Sequence, residues 1–137
     1  MRHTSWVFWS WMILSLAFSP ISFAGEDGEE QSSPEIEYLE VKPKLVVNLA
    51  GRRHYLSTNV QLMIKGQDNL ERIQKHLPLV RHTLILLFSD LPPEKVADIN
   101  EREKLRETAL HDVRKVLDEY SDSDGLKDIL FTEFLVQ

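Results

Sequence analysis

The sequence predicts an α+β domain: a small sheet, made of a hairpin plus a C-terminal strand, packed with two main helices in the order β-β-α-α-β. Three stretches carry that prediction. From His54 to Ile64 the residues alternate, with Leu56, Thr58, Val60, Leu62 and Ile64 on one face and Tyr55, Ser57, Asn59, Gln61 and Met63 on the other, the period of a half-buried strand. From Glu101 to Tyr120 the apolar residues Leu105, Ala109, Val113, Val116, Leu117 and Tyr120 form one stripe opposite a charged face, the period of an amphipathic helix. Ile129 to Val136 (ILFTEFLV) is apolar on both faces apart from Thr132 and Glu133, which predicts a strand lying centrally in the sheet and covered on both sides.

Ahead of the domain lies a leader over residues 1–24. Arg2 and His3 precede an apolar run from Trp6 to Phe18, and Ser22 and Ala24 give the small-x-small pattern that a signal peptidase admits. Two readings are open: a cleaved signal peptide, or an anchor kept in the inner membrane through residues 6–24. In either case Arg2 on one side and Glu26, Asp27, Glu29 and Glu30 on the other place the remainder of the chain on the far side of the membrane. Residues 25–34 (GEDGEEQSSP) hold no apolar side chain and read as a solvated acidic linker.

The domain over 35–137 opens with a β-rich run from Ile36 through Leu49, a turn at Ala50-Gly51-Arg52-Arg53 and the alternating strand, close enough in sequence to form a hairpin. Asp68 with Glu71 has the spacing of a helix N-cap and its partner, and Asn100 with Glu103 repeats it. Between them Leu70, Ile73, Leu77, Val80, Leu84 and Leu87 step at helical spacing, with a kink or restart expected at Pro78. Leu84 to Phe88 (LILLF) should be deeply buried, because it is apolar on all sides, and a short helical turn is expected after Pro92-Pro93, through Val96.

Composition narrows the function. A formal charge of -6, made more acidic still without Arg2, offers no basic face for nucleic acid. The absence of cysteine excludes a disulfide framework, a thiolate metal site and a cysteine nucleophile. The histidines His3, His54, His76, His82 and His111 form no H-E-x-x-H or i,i+4 pair. Asp122-Ser123-Asp124-Gly125 has Tyr120 and Phe131 where a calcium loop needs acidic ligands, so it reads as a turn. Glu101/Glu103 and Asp118/Glu119 sit among Lys and Arg and read as a solvated, ion-paired face; Arg52-Arg53-His54 reads as a solvated hairpin tip. No catalytic, cofactor-binding or metal-ligating residue is assigned, and no enzyme is expected.

Three stretches together resemble the FliL family of flagellar basal-body-associated proteins. Pro43-Lys44-Leu45-Val46-Val47-Asn48-Leu49, with Arg53-His54-Tyr55-Leu56, is similar to the family's P-x-hydrophobic-x-V-N-L strand and R-Y-L strand start. Leu77-Pro78-Leu79-Val80-Arg81 through Ser89 resembles its P-x-hydrophobic-R helix ending in L-L-S. Leu130 through Gln137 matches its closing F-T-x-F-hydrophobic-hydrophobic-Q, and Glu103-Lys104-Leu105-Arg106-Glu107 suits its amphipathic helix. The chain departs from the pattern at Arg102, where a glycine is usual, and at His54. The resemblance covers residues 38–137 and implies a stomatin/prohibitin-like periplasmic domain that is not an enzyme. It further implies assembly as a homo-oligomeric ring and contact with the stator proteins of the flagellar motor, in support of torque and motility. A soluble periplasmic binding module, unconnected to the motor, is the alternative if the leader is cleaved.

Overall fold

Strand β3, Tyr55–Lys65, is the spine of the sheet. Strands β1 (Ile36–Glu40) and β2 (Leu45–Asn48) pair antiparallel with its two halves along one edge, and β4 (Leu126–Val136) pairs antiparallel along the other. Helices α1 (Gln67–Lys75), α2 (Leu77–Phe88), α3 (Pro93–Ala97) and α4 (Ile99–Asp118) fill the crossover between β3 and β4. The computed structural model describes residues 34–51, 53–120 and 122–137. The leader, and the linker as far as residue 33, lie outside the described residues, as do Arg52 and Ser121. Among the described residues no helix is long and apolar enough to cross a membrane.

The α+β class and the β2–β3 hairpin match expectation, while the order is longer than β-β-α-α-β by a strand and two helices. The run from Ile36 to Leu49 splits into β1 and β2 at Pro43, which has no N–H to give a ladder; the Lys42–Pro43 peptide is cis. Of the kink or restart expected at Pro78, the structure has the restart: α1 ends at Lys75 and α2 begins at Leu77, so that Pro78 falls in its first turn, where a missing N–H leaves no helical bond unmade.

Along β3 the alternation is obeyed, with Leu56, Thr58, Val60, Leu62 and Ile64 buried. Against this face the helices bury Ile73, Val80, Leu84, Phe88, Val96, Ala109, Val113 and Leu117. Burial of such a side chain is worth roughly 1.5–3 kcal/mol, so this single layer of contacts carries most of the driving force for folding. Leu86 is an exception to the burial expected for LILLF: it is 62% exposed, because α2 covers the sheet on one side only and this position faces away from it. Tyr120, expected on the buried stripe of α4, is likewise exposed beyond the helix end.

Strand β4 corrects the largest expectation. It begins at Leu126 rather than Ile129 and lies at an edge; β3 holds the centre. Its register with β3 slips between Asn59↔Glu133 and Val60↔Phe131, leaving Thr132 as an extra residue in a bulge. Without the bulge Phe131 and Phe134, three apart, would point to opposite faces. With it, both join the core face, where their rings lie 5.4 Å apart and Phe131 meets Phe88 edge-on at 5.5 Å. A strand that reads as apolar on both faces is thus largely one-sided.

Both caps also move. At α1 the cap position is Gly66, whose φ of +85° favours glycine, and its N–H donates to the Glu35 carbonyl at 2.8 Å. Asp68 sits in the first turn, where its charge meets the helix dipole without a capping bond. At α4 the cap is Asp98 rather than Asn100: its carboxylate accepts from the N–H groups of Asn100 at 2.8 Å and Glu101 at 2.9 Å. Asp98→Ala should therefore destabilise the domain by about 1 kcal/mol. In thermal unfolding that appears as a drop of about 4–8 °C in Tm, with Asp98→Asn close to wild type.

Candidate interaction surface

The residues singled out in the sequence do not converge on a chemical centre. His54, His82 and His111 are exposed on separate elements, and His3 lies outside the described residues. His76 is structural: its Nε2 lies 2.9 Å from the Asp122 carboxylate and its ring stacks on Tyr120 at 4.6 Å, tying the turn after α4 to the α1–α2 junction. Asp122 is thereby engaged, and Gly125 packs so tightly on Asn69 that a Cβ there would fall 2.2 Å from the Asn69 Cβ. Glu101 pairs with Lys104 at 2.6 Å and Glu103 with Arg106, ion pairs on a solvated helix face. Among the described residues no three His, Cys, Asp or Glu side chains come together as a metal site would require.

What the fold does build is surface. The sheet face away from the helices carries the cross-strand row Val46–Ser57–Leu135, with Val46 62% and Leu135 45% exposed, together with exposed Tyr38 and Tyr55. Beside that row a polar one is locked in place. Glu133 accepts from Lys44 Nζ at 3.0 Å and from Asn59 Nδ2 at 2.9 Å.

The second surface is the outer edge of β4, flanked by arginines of α4. Arg102, Arg106 and Arg114 lie on one stripe of the helix, which runs antiparallel to the strand. Arg114 donates to the carbonyls of Leu126 at 2.8 Å and Lys127 at 3.1 Å. Arg106 pairs with Asp128 and, through Nε, with both carboxylate oxygens of Glu103 at 3.0 Å. The Glu103 carboxyl is held below its ordinary range, chiefly by the hydrogen bond from Arg106. Arg102 stacks its guanidinium over the Phe134 ring, 4.6 Å from the centroid, and its buried Nε has no hydrogen-bond partner among the described residues. Sequence reasoning saw these arginines as a solvated charged face; their spacing of four and then eight residues was the available signal that they share one stripe.

The three motif stretches meet in space. Arg81 of α2 donates to the carbonyl of Pro43, and the end of α2 is tied to β2 by the Asp90 N–H on the Asn48 carbonyl at 3.2 Å. Gln137 exchanges backbone bonds with Tyr55 at 2.7 and 3.0 Å, joining the last stretch to the start of β3. The Phe-Thr-x-Phe pattern is the β4 bulge itself. A family model described as "Flagellar basal body-associated protein FliL" matches residues 38–137, which take in all of α1–α4, β2–β4 and most of β1.

The chain belongs to the FliL family.

A relative named "Flagellar protein FliL", from Aquifex aeolicus (strain VF5), is 27% identical over an alignment of 107 residues that covers 76% of this chain and 64% of the relative. The chain therefore spans a little under two thirds of that FliL protein's length. The motif residues Leu45, Val47, Leu56, Val80, Leu84 and Phe88 are buried core positions in this fold.

Proposed function

We propose that this FliL-family protein acts at the flagellar basal body as a scaffold without catalytic activity. It supports the stator units of the motor, and through them torque, swimming, swarming and chemotaxis, by assembling with further copies of itself, as a ring, and by touching stator proteins. The match to the family over residues 38–137 carries this reading, since it spans nearly the whole described domain. One further observation supports it: one sheet face presents an apolar row of the kind that partners cover. The proposal includes a stomatin/prohibitin-like architecture, and a domain that stands in the periplasm behind residues 1–24, either anchored in the inner membrane or released from it.

Deleting the gene tests the role. Reduced swimming and swarming, with fewer stator units recruited to basal bodies and rescue by the wild-type gene, is the expected outcome. Motility and recruitment that all remain at wild-type levels would exclude it. Fractionation with N-terminal sequencing tests the placement: an intact Met1 in the membrane pellet marks an anchored subunit, and a start at Gly25 in the periplasmic fraction marks a released one.

A further inference from the structure

We infer that the free edge of β4 between Leu130 and Val136 is a docking site for one extended peptide segment bearing a carboxylate, contributed by a partner protein and added to the sheet as a further strand. The inference goes beyond the motor reading and holds whichever complex the domain joins.

The backbone provides the first argument. Tyr55 and Gln137 exchange both of their N–H···O=C bonds, so by the alternation of an antiparallel ladder Val136 and Phe134 form the wide pairs. Their N–H and C=O groups consequently point away from β3. Among the described residues β4 has no strand on that side. An edge of this kind is a ready template for another strand, and folded proteins commonly close it with charged side chains. Here the closure is partial. Arg114 and Arg106 engage Leu126, Lys127 and Asp128, at the beginning of the strand. Among the described residues no equivalent bond from α4 reaches the stretch from Leu130 onward.

The second argument is the groove beside that open half. It encloses about 330 Å³ between Ile99, Arg102, Glu103 and Arg106 of α4 and Leu130 and Phe131 of β4. Ile99 is 75% exposed, an apolar side chain at the groove wall with nothing of this domain over it. A strand laid along β4 would cover it with every second side chain, as strand addition normally provides: main-chain bonds give affinity and alternate side chains give selectivity.

Charge decides the occupant. Arg106 is already committed to Glu103 and Asp128, whereas Arg102 has no acidic partner among the described residues and carries an unsatisfied Nε. A carboxylate on the incoming strand would give that guanidinium a charge-assisted partner in a partly dry site. A second copy pairing edge to edge, with its helices on the same side of the joined sheet, would instead bring another Arg102 into the same seam, and no carboxylate for the first. Like charges there oppose self-pairing, so the segment belongs to a different protein.

The test uses the full chain purified in mild detergent and a fluorescein-labelled hexapeptide, Thr-Val-Glu-Val-Thr-Val, with its Glu-to-Lys counterpart. Fluorescence anisotropy should show the glutamate peptide binding and the lysine peptide binding about ten-fold more weakly or not at all, with Arg102→Gln weakening the glutamate peptide about ten-fold through loss of one charge-assisted hydrogen bond. Hydrogen exchange on the wild-type protein supplies a readout that does not depend on any variant's folding. Saturating glutamate peptide should slow exchange at the Phe134 and Val136 amides and leave the α2 amides unchanged. Unchanged exchange at both β4 amides, or equal protection by the two peptides, would overturn the inference. So would protection of the same amides that rises with protein concentration without peptide and tracks a dimer in sedimentation, since the edge would then belong to a second copy.

Discussion

Phe88→Ala is expected to lower the unfolding free energy by about 3–5 kcal/mol, the cost of removing a fully buried aromatic side chain and leaving its cavity. Phe88 is the largest fully buried side chain of the domain, and it closes α2 where helix, β2 and β4 converge. Its ring meets Phe131 edge-on at 5.5 Å, and Phe131 in turn meets Phe134 at 5.4 Å. The cavity would therefore open beneath the bulged end of β4 and loosen the element that carries the open edge. Single domains have total stabilities of only about 5–15 kcal/mol, so the variant should approach the unfolding threshold at 37 °C. Urea denaturation monitored by far-UV circular dichroism measures the loss as a shift in midpoint at unchanged slope. Leu86→Ala, two residues away in the same apolar run, is the control: its side chain is exposed, and the change should stay within about 0.5 kcal/mol. Equal losses at the two positions would mean that α2 does not face the sheet as described.

The contrast between Phe88 and Leu86 shows what local sequence could and could not convey. Helix α4 and strand β3 were legible because each keeps one period over many residues, and the hairpin because β2 and β3 are separated by one short turn. The run LILLF has no polar member, so periodicity could not say which side faces the core. Only the position of α2 on a one-sided sheet exposes Leu86. The caps moved for a different reason. Asp98 precedes Asn100 by two residues and has Glu101 at the spacing of a capping partner, so two overlapping signals competed and backbone geometry chose the earlier one. The candidate surface was the least legible part. Whether β4 is central or an edge depends on pairings with residues about seventy positions away, and no pattern within β4 reports them. Arg102, Arg106 and Arg114 acquire their meaning from that edge: in sequence they are charges on a helix, and in the fold they sort a strand into a closed half and an open one.

Deletion of Leu130 should cost nearly as much as Phe88→Ala, whereas deletion of Thr132 should be tolerated. Thr132 is the extra residue between Val60↔Phe131 and Asn59↔Glu133, so removing it leaves those two pairs adjacent in a regular ladder. Phe131, Phe134 and Val136 then keep their face, and Glu133 keeps its Lys44 and Asn59 contacts. The Thr132 side chain is exposed and its hydroxyl makes only a 3.4 Å contact with the Asn59 carbonyl, so the loss should stay within about 1 kcal/mol. Removing Leu130 uses up the same extra residue from the other side. Phe131 then falls opposite Gln61 and Thr132 opposite Val60, so Phe131 turns outward and a hydroxyl turns toward the core. The ring contacts of Phe131 with Phe88 and Phe134 are lost. Turning out one large apolar side chain costs about 1.5–3 kcal/mol, before the expense of the inward hydroxyl. Urea midpoints for the two deletions measure the difference, and protection of the Tyr55 amide in both checks that the register beyond the bulge is kept. Equal losses in the two variants would show that the bulge does not set which residues of β4 reach the core.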